Sequence, residues 1–368
     1  MSIDKKMKLA VLFGGRSAEH EVSIRSARSV IGGLNREKYE IIPIAISRKG
    51  VWLSPEDSMK ALQCEKVPEL ECGVWFTPGA GEEALRVRSG EAMQSLHIDM
   101  IFPVLHGTFG EDGTIQGLCE MLNIPYVGAG VVGSALGMDK VLAKDVWAFN
   151  GIPVTPYVAA LRTEWQSDPE MVFVRCKEKG LRWPRFVKPA NAGSSVGITK
   201  AHNFAEFVEA MHVAAQYDRK ILIEEAVESP REIEIGVIGN DEPECSVPGQ
   251  ICYDREFYDY EAKYLSGDDP VMHIPADLPK EMTAMIADFA KRAWRALDLN
   301  GMGRVDFLLG ADGRLWLNEV NTLPGFTVIS MFNRLWAGAG VSYSELLDRL
   351  IAYAQERYEI RQGLNVMH

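Results

Sequence analysis

Four side chains near the C-terminal end of the chain could together hold a divalent cation beside a phosphate group. The stretch "RVDFLLGADGRLWLNEVN" has the pattern of a β-hairpin that turns at residues 311–313. Arg304 and Asp306 lie two positions apart and should share one face of the first strand, as Glu319 and Asn321 should on the second. If the two faces coincide, two carboxylates and an amide oxygen could bind Mg²⁺.

The chemistry that such a group supports is phosphoryl transfer. Substrate phosphates commonly complete the coordination of Mg²⁺, and Arg304 could neutralise charge on the transferring group. The alternative is a strand face that meets water and carries ordinary ion pairs. The apolar hairpin residues Phe307, Leu309 and Trp316 argue against that alternative, because buried carboxylates need partners. The alignment of the two strands is not fixed by the sequence.

A glycine-rich stretch could surround phosphate oxygens. "KPANAGSSVG", residues 188–197, places Lys188 at the end of a predicted strand, with small residues after it. Glycine lets backbone N–H groups approach a phosphate, and the hydroxyls of Ser194 and Ser195 could add hydrogen bonds. The stretch is not a Walker A loop, since G-x-x-x-x-G-K-[ST] occurs nowhere in the chain. A tight β-hairpin explains the same residues equally well, and both interpretations stay open.

Two further residues follow predicted strands, where open α/β sheets usually hold their sites. Glu19 lies in "GGRSAEHE" after the first strand, and His106 begins "HGTFGEDG" after a later one. Either residue could instead be structural. The stretch "GAGVVG", residues 128–133, matches G-x-G-x-x-G, but it is not the first turn of a βαβ unit and lacks the acidic residue expected about 20 positions on. An NAD-dependent oxidoreductase therefore has only this motif in its favour.

The elements that must position these residues alternate between strand and helix. Apolar runs at 8–13, 40–47 and 99–106 predict strands separated by helices, which favours a mostly parallel sheet. The glycine-rich segment 123–140 is predicted to be a connection, and the helix after it carries Lys140 and Lys144.

Later segments indicate a second and a third domain. "RFVKPANAGSSVGI" and "ILIEEAV" predict strands, and 282–297 has the spacing of an amphipathic helix that Asn300 and Gly301 stop. The last helix should begin at Ser342, which with Glu345 forms a capping-box pattern. The predicted domains are 1–137, 138–219 and 220–368.

Composition narrows the class of protein. The chain has 368 residues with 47% hydrophobic content and a net charge of −12, which argues against a nucleic-acid partner. No stretch has the length of a membrane helix or the pattern of a signal peptide, so we expect a cytoplasmic protein without membrane contact. No cysteine pair has the spacing of a metal site, which indicates reduced thiols. The cysteines are Cys64, Cys72, Cys119, Cys176, Cys245 and Cys252.

Taken together, these motifs resemble the ATP-grasp superfamily and, within it, the D-alanine–D-alanine ligases. The resemblance spans nearly the whole chain and includes "LFGGRSAEHEVS", "LHGTFGEDGTIQG", "KPANAGSSVG", "YDYEAKY", "GRVDFLL" and "LNEVNTLPGFT". It implies an α/β fold, α+β in parts, in which a parallel N-terminal domain precedes the central and C-terminal ATP-grasp domains. It also implies a homodimer formed through the N-terminal domain.

The resemblance implies that ATP is bound between antiparallel sheets of the central and C-terminal domains. The "IEEAV" segment serves as the adenine strand, where Glu224 and the Val227 backbone meet the base, and Glu232 binds the ribose. The glycine-rich loop covers the phosphates. The other implied ATP-binding residues are Lys144, Lys188, Ser194, Ser195, Glu225 and Lys263. Two Mg²⁺ ions, for which Mn²⁺ can substitute, are held by Asp306, Glu319 and Asn321.

The resemblance also implies the reaction, synthesis of D-alanyl-D-alanine for peptidoglycan precursors. The γ-phosphoryl group of ATP passes to the carboxylate of the first D-alanine, and the amine of the second attacks the acyl phosphate. Arg304 and the Gly325 N–H stabilise the oxyanion that forms. Glu19 binds the ammonium group of the first D-alanine in a pocket that His106 lines.

The second D-alanine has its own implied residues. Ser330 and Lys263 hold its carboxylate, and Glu19, Ser194 and Tyr264 form a hydrogen-bonded triad that links the domains. Tyr264 favours D-alanine as the second substrate, because relatives that use D-lactate typically carry histidine at this position.

The stretch "FYDYEAKY", residues 257–264, combines four aromatic rings with three charges, which suits neither a core strand nor a solvated loop. It looks like part of a lid, about 253–270, that these ligases close over the site. Such a lid excludes water, because an acyl phosphate hydrolyses readily.

Two alternatives from the resemblance remain. A D-alanine–D-lactate ligase has the same fold and differs at the second substrate. A non-catalytic nucleotide-binding regulator belongs to another class, and Arg304 argues against it, since a binder needs no arginine for an oxyanion.

Overall fold

The N-terminal part of the molecule is built on a parallel sheet. The computed structural model describes residues 6–79, 81–89, 92–252 and 271–365. In the order β2–β1–β6, the sheet consists of Tyr39–Ile46, Met7–Gly14 and Met100–Val104. The helices α1, α2 and α3 of this part are His20–Gly33, Pro55–Cys64 and Thr114–Leu122. A small antiparallel sheet at its side consists of β3 Val74–Phe76, β4 Leu85–Ser89 and β5 Ala92–Leu96, with a 3₁₀ turn at Gly81–Glu83 before β4.

The glycine-rich connection predicted at 123–140 contains a helix, α4 (Val131–Met138), so that prediction is corrected. Its glycines are placed where the helix packs closely. A Cβ on Gly133 would lie 2.8 Å from the Asp298 carbonyl oxygen, and one on Gly137 would lie 3.0 Å from a methyl carbon of Thr322. The glycines therefore permit contact with the C-terminal part of the chain, although they lower helix propensity.

An antiparallel sheet forms the central part. Its order is β7–β10–β8–β9, with strands Tyr157–Leu161, Lys220–Glu225, Arg185–Pro189 and Thr199–Ala201. The helices are α5 Lys140–Phe149, α6 Arg162–Ser167, α7 Pro169–Glu178 and α8 Phe204–Tyr217. Since β10 pairs with β7 and β8, the boundary predicted at 219/220 assigns this strand to the wrong sheet.

A second antiparallel sheet forms the C-terminal part. Its order is β13–β12–β11–β14–β15, with strands Val271–His273, Glu244–Cys252, Arg231–Gly239, Gly301–Leu309 and Leu315–Asn321. The helices α9, α10 and α11 are Lys280–Ala296, Met331–Gly338 and Tyr343–Gln362. The Ser342 side chain caps α11 by accepting from the Glu345 N–H, as predicted. Helix α9 ends before the predicted stop, and Gly301 instead begins β14 at a φ of +71°.

The apolar cores join these parts to one another. One cluster combines Phe13 and Phe102 of the parallel sheet with Phe326, Phe332 and residues of α11. A second lies between α9 and the C-terminal sheet, and a third supports the central sheet through Trp165 and Phe207. Within the described residues, no helix combines the length and apolar character needed to cross a membrane.

Candidate active site

A cavity of about 1090 Å³ lies between the central and the C-terminal antiparallel sheets. It is the place where the separate sequence motifs meet. The central sheet and its loops contribute Lys188, Ser195, Glu224, Glu225 and Val227 to its lining. The C-terminal sheet contributes Glu232, Glu234, Arg304, Asp306 and Glu319.

The hairpin of β14 and β15 has the alignment that a shared cation site requires. Asp306 lies opposite Glu319, and Arg304 lies opposite Asn321, in an antiparallel register. The predicted faces therefore coincide, and the Asn321 Nδ2 group donates to an Asp306 oxygen at 2.9 Å. A bulge follows Asp306, so that Phe307 pairs with Leu317.

Arg304 is surrounded by carboxylates. Its Nε and an Nη group donate to the two Asp306 oxygens at 2.8 and 2.7 Å, and its Nε also lies 2.9 Å from Glu234. Burial alone would lower the pKa of Arg304, but the neighbouring charges of Asp306 and Glu234 raise it well above its ordinary value. The guanidinium therefore keeps its charge in a poorly hydrated place, where it acts strongly on a nearby anion.

Two lysines meet one buried carboxylate on the cavity's other side. Glu224 forms ion pairs with Lys144, at 3.0 Å, and with Lys188, and the hydroxyl of Thr155 donates to it at 2.8 Å. Burial opposes charge on Glu224, but the two ammonium groups outweigh it and hold its pKa below the ordinary value. Burial lowers the pKa of Lys144, whereas Glu224 outweighs burial at Lys188 and raises its pKa. The predicted contact between Glu224 and adenine stays a prediction, since both carboxylate oxygens are bound by lysines here.

Lys140 is a site residue that sequence reasoning did not select. Its Nζ lies 3.3 Å from Glu319 and donates to the Ala192 carbonyl oxygen at 2.9 Å, while its backbone N–H donates to Ala190. Lys140 thus joins the glycine-rich loop to the β14–β15 hairpin. The only sequence signal was its position one helical turn before Lys144.

The glycine-rich loop is a turn between β8 and β9, so the hairpin interpretation is correct for its flanks. At its tip, Ser194 and Ser195 have φ values of 51° and 59°, which non-glycine residues rarely adopt. The hydroxyl of Ser194 donates to Glu19 at 2.5 Å. Two of the three predicted triad members therefore meet, and the third, Tyr264, lies outside the described residues, as do Lys263 and the predicted lid at 253–270.

His106 and Glu111 lie where the parallel sheet approaches the C-terminal part. His106 is buried and contacts the Leu323 carbonyl oxygen through Nδ1 at 2.9 Å and the Ser26 hydroxyl through Nε2 at 3.0 Å. Burial lowers the pKa of His106. Glu111 was quoted within a motif but not selected; burial and the nearby charge of Glu19 raise its pKa to about 8.

The loop after β15 carries the remaining predicted residues. The Ser330 hydroxyl oxygen accepts from the Thr327 N–H at 3.0 Å and forms a second hydrogen bond with the Thr327 hydroxyl at 2.7 Å. A Cβ on Gly325 would lie 3.1 Å from the Ser330 hydroxyl oxygen, so the two predicted residues are close neighbours. At the cavity's far end, Glu225 pairs with the exposed Arg182, beside Val227.

Two antiparallel sheets that enclose a cavity lined by paired lysines and opposed carboxylates define the ATP-grasp class of fold. Comparison with known proteins is consistent with that class. The D-ala D-ala ligase N-terminus matches residues 8–129, and the D-ala D-ala ligase C-terminus matches residues 146–352. The chain therefore belongs to the D-alanine–D-alanine ligase family and is an ATP-dependent ligase, which confirms the resemblance that the motifs indicated.

Individual relatives show how complete the likeness is. A D-alanine–D-alanine ligase of Geobacillus kaustophilus is 48% identical over 362 residues, covering 98% of this chain and 97% of the relative. The solved D-alanine–D-alanine ligase of Coxiella burnetii has a TM-score of 0.83 at 33% identity, covering 97% of this chain and 96% of its own. The VanG D-Ala:D-Ser ligase of Enterococcus faecalis has a TM-score of 0.83 at 34% identity, and the match covers 95% of this chain and 100% of the VanG chain.

Proposed function

We propose that this enzyme uses ATP to join two D-alanine molecules into D-alanyl-D-alanine through an acyl phosphate. The observation that carries the proposal is the cavity between the two antiparallel sheets, with Lys188 and Glu224 on one side and Asp306 and Glu319 on the other. The cavity therefore has an ammonium group that could bind phosphates on one side and carboxylate oxygens that could bind a metal ion on the other. The family to which the chain belongs supports the choice of substrates.

ATP fits with its phosphates beside Lys144 and Lys188, under the loop of Ser194 and Ser195. Its base lies toward Glu225 and Val227, and Glu232 meets the ribose. The phosphates must then compete with the Glu224 carboxylate for the two ammonium groups. This exchange replaces one buried anion by another, so the lysines need not be uncompensated at any stage.

The residues of the hairpin fit Mg²⁺. Asp306, Glu319 and Asn321 supply the hard oxygen donors that Mg²⁺ prefers, with phosphate oxygens to complete the shell. When bound, the metal would neutralise charge on the transferring phosphoryl group. Within the described ranges, no group of three or more His, Cys, Asp or Glu side chains is arranged to hold a metal ion.

The chain's own residues then carry the chemistry. A carboxylate oxygen of the first D-alanine attacks the γ-phosphorus, and ADP leaves. The amine of the second D-alanine attacks the carbonyl carbon of the acyl phosphate, and the tetrahedral intermediate expels phosphate as the amide forms. Arg304 and the Gly325 N–H stabilise the oxyanion, with one such donor contributing roughly 3 kcal/mol. The guanidinium has five N–H donors, so it can reach an oxyanion while it stays bound to Asp306.

Glu19 and Ser330 mark where the two D-alanines bind. Glu19, beside His106, binds the ammonium group of the first D-alanine. Ser330 and Lys263 bind the carboxylate of the second D-alanine. Tyr264, which lies outside the described residues, favours D-alanine over D-lactate as the second substrate. These roles rest on the motifs; in support, Glu19 accepts a hydrogen bond from Ser194 of the glycine-rich loop, and Ser330 lies beside Gly325.

The test is phosphate release from Mg-ATP with no amino acid, with D-alanine, and with D-alanine plus D-lactate or D-serine. Products are identified by mass. We expect release with D-alanine alone, matched by D-alanyl-D-alanine. A depsipeptide or D-alanyl-D-serine as main product would keep the mechanism but overturn the specificity. An absence of D-alanine-dependent release would overturn the proposed function.

The resemblance also supports a cytoplasmic homodimer formed through the N-terminal domain. Sedimentation equilibrium measures its mass directly. A single species near the 40.9 kDa of one chain would contradict the dimer.

A further inference from the structure

The backbone of Leu323, in the loop after β15, is hydrogen-bonded at both its N–H and its carbonyl oxygen to the N-terminal part of the molecule. The Leu323 N–H donates to Glu111 Oε1 at 3.1 Å, and the Leu323 carbonyl oxygen lies 2.9 Å from His106 Nδ1. Both side chains come from the loop 106–113 that follows β6. We call His106 and Glu111 the Leu323 clamp.

The clamp is itself fixed in place by bonds within the N-terminal part. The second Glu111 oxygen accepts from the Gly107 N–H at 2.7 Å. Because a carbonyl only accepts, His106 Nδ1 carries the proton, and Nε2 accepts from the Ser26 hydroxyl at 3.0 Å. That hydroxyl oxygen also accepts from the Phe326 N–H at 3.4 Å. The loop is therefore held again three residues beyond Leu323.

The loop that the clamp holds contains Gly325, the proposed oxyanion donor, and directly follows Asn321, a proposed metal ligand. Leu323 lies two residues after Asn321 and two before Gly325, whose N–H is the proposed oxyanion donor. We infer that the Leu323 clamp positions this N–H, so that Glu111 is a positioning residue for the tetrahedral intermediate. The inference rests on the role proposed above for Gly325. It assigns the N-terminal loop a part in the second chemical step as well as in holding the first substrate.

The neighbouring Asp112 offers a matched control. Its carboxylate also accepts two backbone N–H bonds, from Phe109 of the same loop at 2.8 Å and from Thr114, the first residue of α3, at 3.0 Å, so both lie within the N-terminal part. Glu111→Ala and Asp112→Ala each remove two such bonds. Only the first removes a bond to the C-terminal part, so a difference between them reports the clamp and not the stability of the loop.

We expect Glu111→Ala to lower kcat for dipeptide synthesis about 10- to 100-fold, a part of what removing an oxyanion donor does. Its affinity for a non-hydrolysable ATP analogue, measured by calorimetry, should stay within about twofold, since Glu111 does not line the nucleotide cavity. A phosphinate dipeptide, which mimics the tetrahedral intermediate, should bind about 10-fold more weakly. Asp112→Ala should keep kcat within about threefold.

Glu111→Gln keeps the shape of the side chain and one acceptor, so its kcat should lie between those of the wild type and Glu111→Ala. This variant also serves if Glu111→Ala does not fold. Equal losses in kcat for the Glu111 and Asp112 variants would overturn the inference, as would a loss of ATP affinity as large as the loss in kcat. A wild-type protein that makes no dipeptide would instead overturn the proposed function on which the clamp depends.

Discussion

The hydroxyl of Ser194, at the tip of the glycine-rich loop, donates a hydrogen bond to the carboxylate of Glu19 in the loop after β1. The two residues are 175 positions apart, and their bond joins the proposed ATP loop to the proposed pocket of the first D-alanine. We expect a change at one of these proposed sites to affect the other.

Replacing Ser194 by alanine tests this link. A hydrogen bond to a charged group contributes about 1.5 kcal/mol or more, so kcat/KM for D-alanine should fall roughly 10-fold or more. Steady-state kinetics with D-alanine as the varied substrate measures it. Ser17→Ala is the control, because the Ser17 hydroxyl accepts only from the Glu19 backbone N–H in its own loop among the bonds described. Equal effects of the two variants would contradict the link.

Replacing Glu224 by glutamine leaves Lys144 and Lys188 without the anion that lies between them. Breaking a buried ion pair in this way destabilises a protein by about 3–5 kcal/mol. Thermal unfolding should show a lower Tm, and ATP should raise the Tm of the variant more than that of the wild type, because phosphates restore the missing charge. Glu56→Gln, which breaks an exposed pair with Lys60, should change stability far less, because water screens an exposed pair. An equal ATP-induced shift in the Glu224 variant and the wild type would argue against the exchange of anions.

Replacing Gly107 by alanine should disturb Glu19. The new Cβ would lie 2.5 Å from a Glu19 oxygen, at a φ of +71°. Gly180→Ala isolates the cost of the backbone angle, about 1–2 kcal/mol, because its φ is +73° and no atom lies within 4 Å of its Cβ. Both variants should lose stability, but only Gly107→Ala should raise the KM for D-alanine. A similar rise in KM for Gly180→Ala would remove the steric explanation.

The pH dependence of the free energy of unfolding should reveal the raised pKa of Glu111. Its pKa is raised to about 8 by burial and by Glu19, against the opposing effects of its two N–H bonds and of Lys140. The folded protein then keeps a proton that the unfolded chain loses near 4.5. The stability from this group is complete below about 4.5 and declines as pH rises toward 8. Glu111→Gln cannot ionise, so its free energy of unfolding should decline less between pH 5 and 9 in urea titrations. Parallel curves for the two proteins would contradict the raised pKa.

The sequence predicted those features that depend on local pattern. Residues 304–321 showed two stretches with apolar residues joined by a glycine turn, and the hairpin formed with its turn at 311–313. Its register was not predictable, because alignment depends on packing against the neighbouring strand β11 and on the bulge after Asp306. The predicted cation face proved to be continuous only once that register was known.

Other features could not be predicted because they depend on contacts distant in sequence. Helix α4 looked like a loop because its glycines serve packing against Asp298 and Thr322. Lys140 and Glu111 could not be selected from the sequence because their partners lie far along the chain. Lys140 pairs with Glu319, and Glu111 accepts from the Leu323 N–H. Strand β10 was assigned to the third domain because a run of apolar residues does not reveal its partner strands.

The hydrogen bonds by which the Leu323 clamp holds this loop go to main-chain atoms, an N–H and a carbonyl oxygen. Any residue other than proline at position 323 presents the same two groups. These two hydrogen bonds therefore do not depend on which side chain occupies position 323, although Phe326 of the same loop also packs against Phe102 of the parallel sheet. We expect chimeras that exchange residues 1–129 between relatives of this fold to retain these two backbone hydrogen bonds wherever residues equivalent to His106 and Glu111 are present.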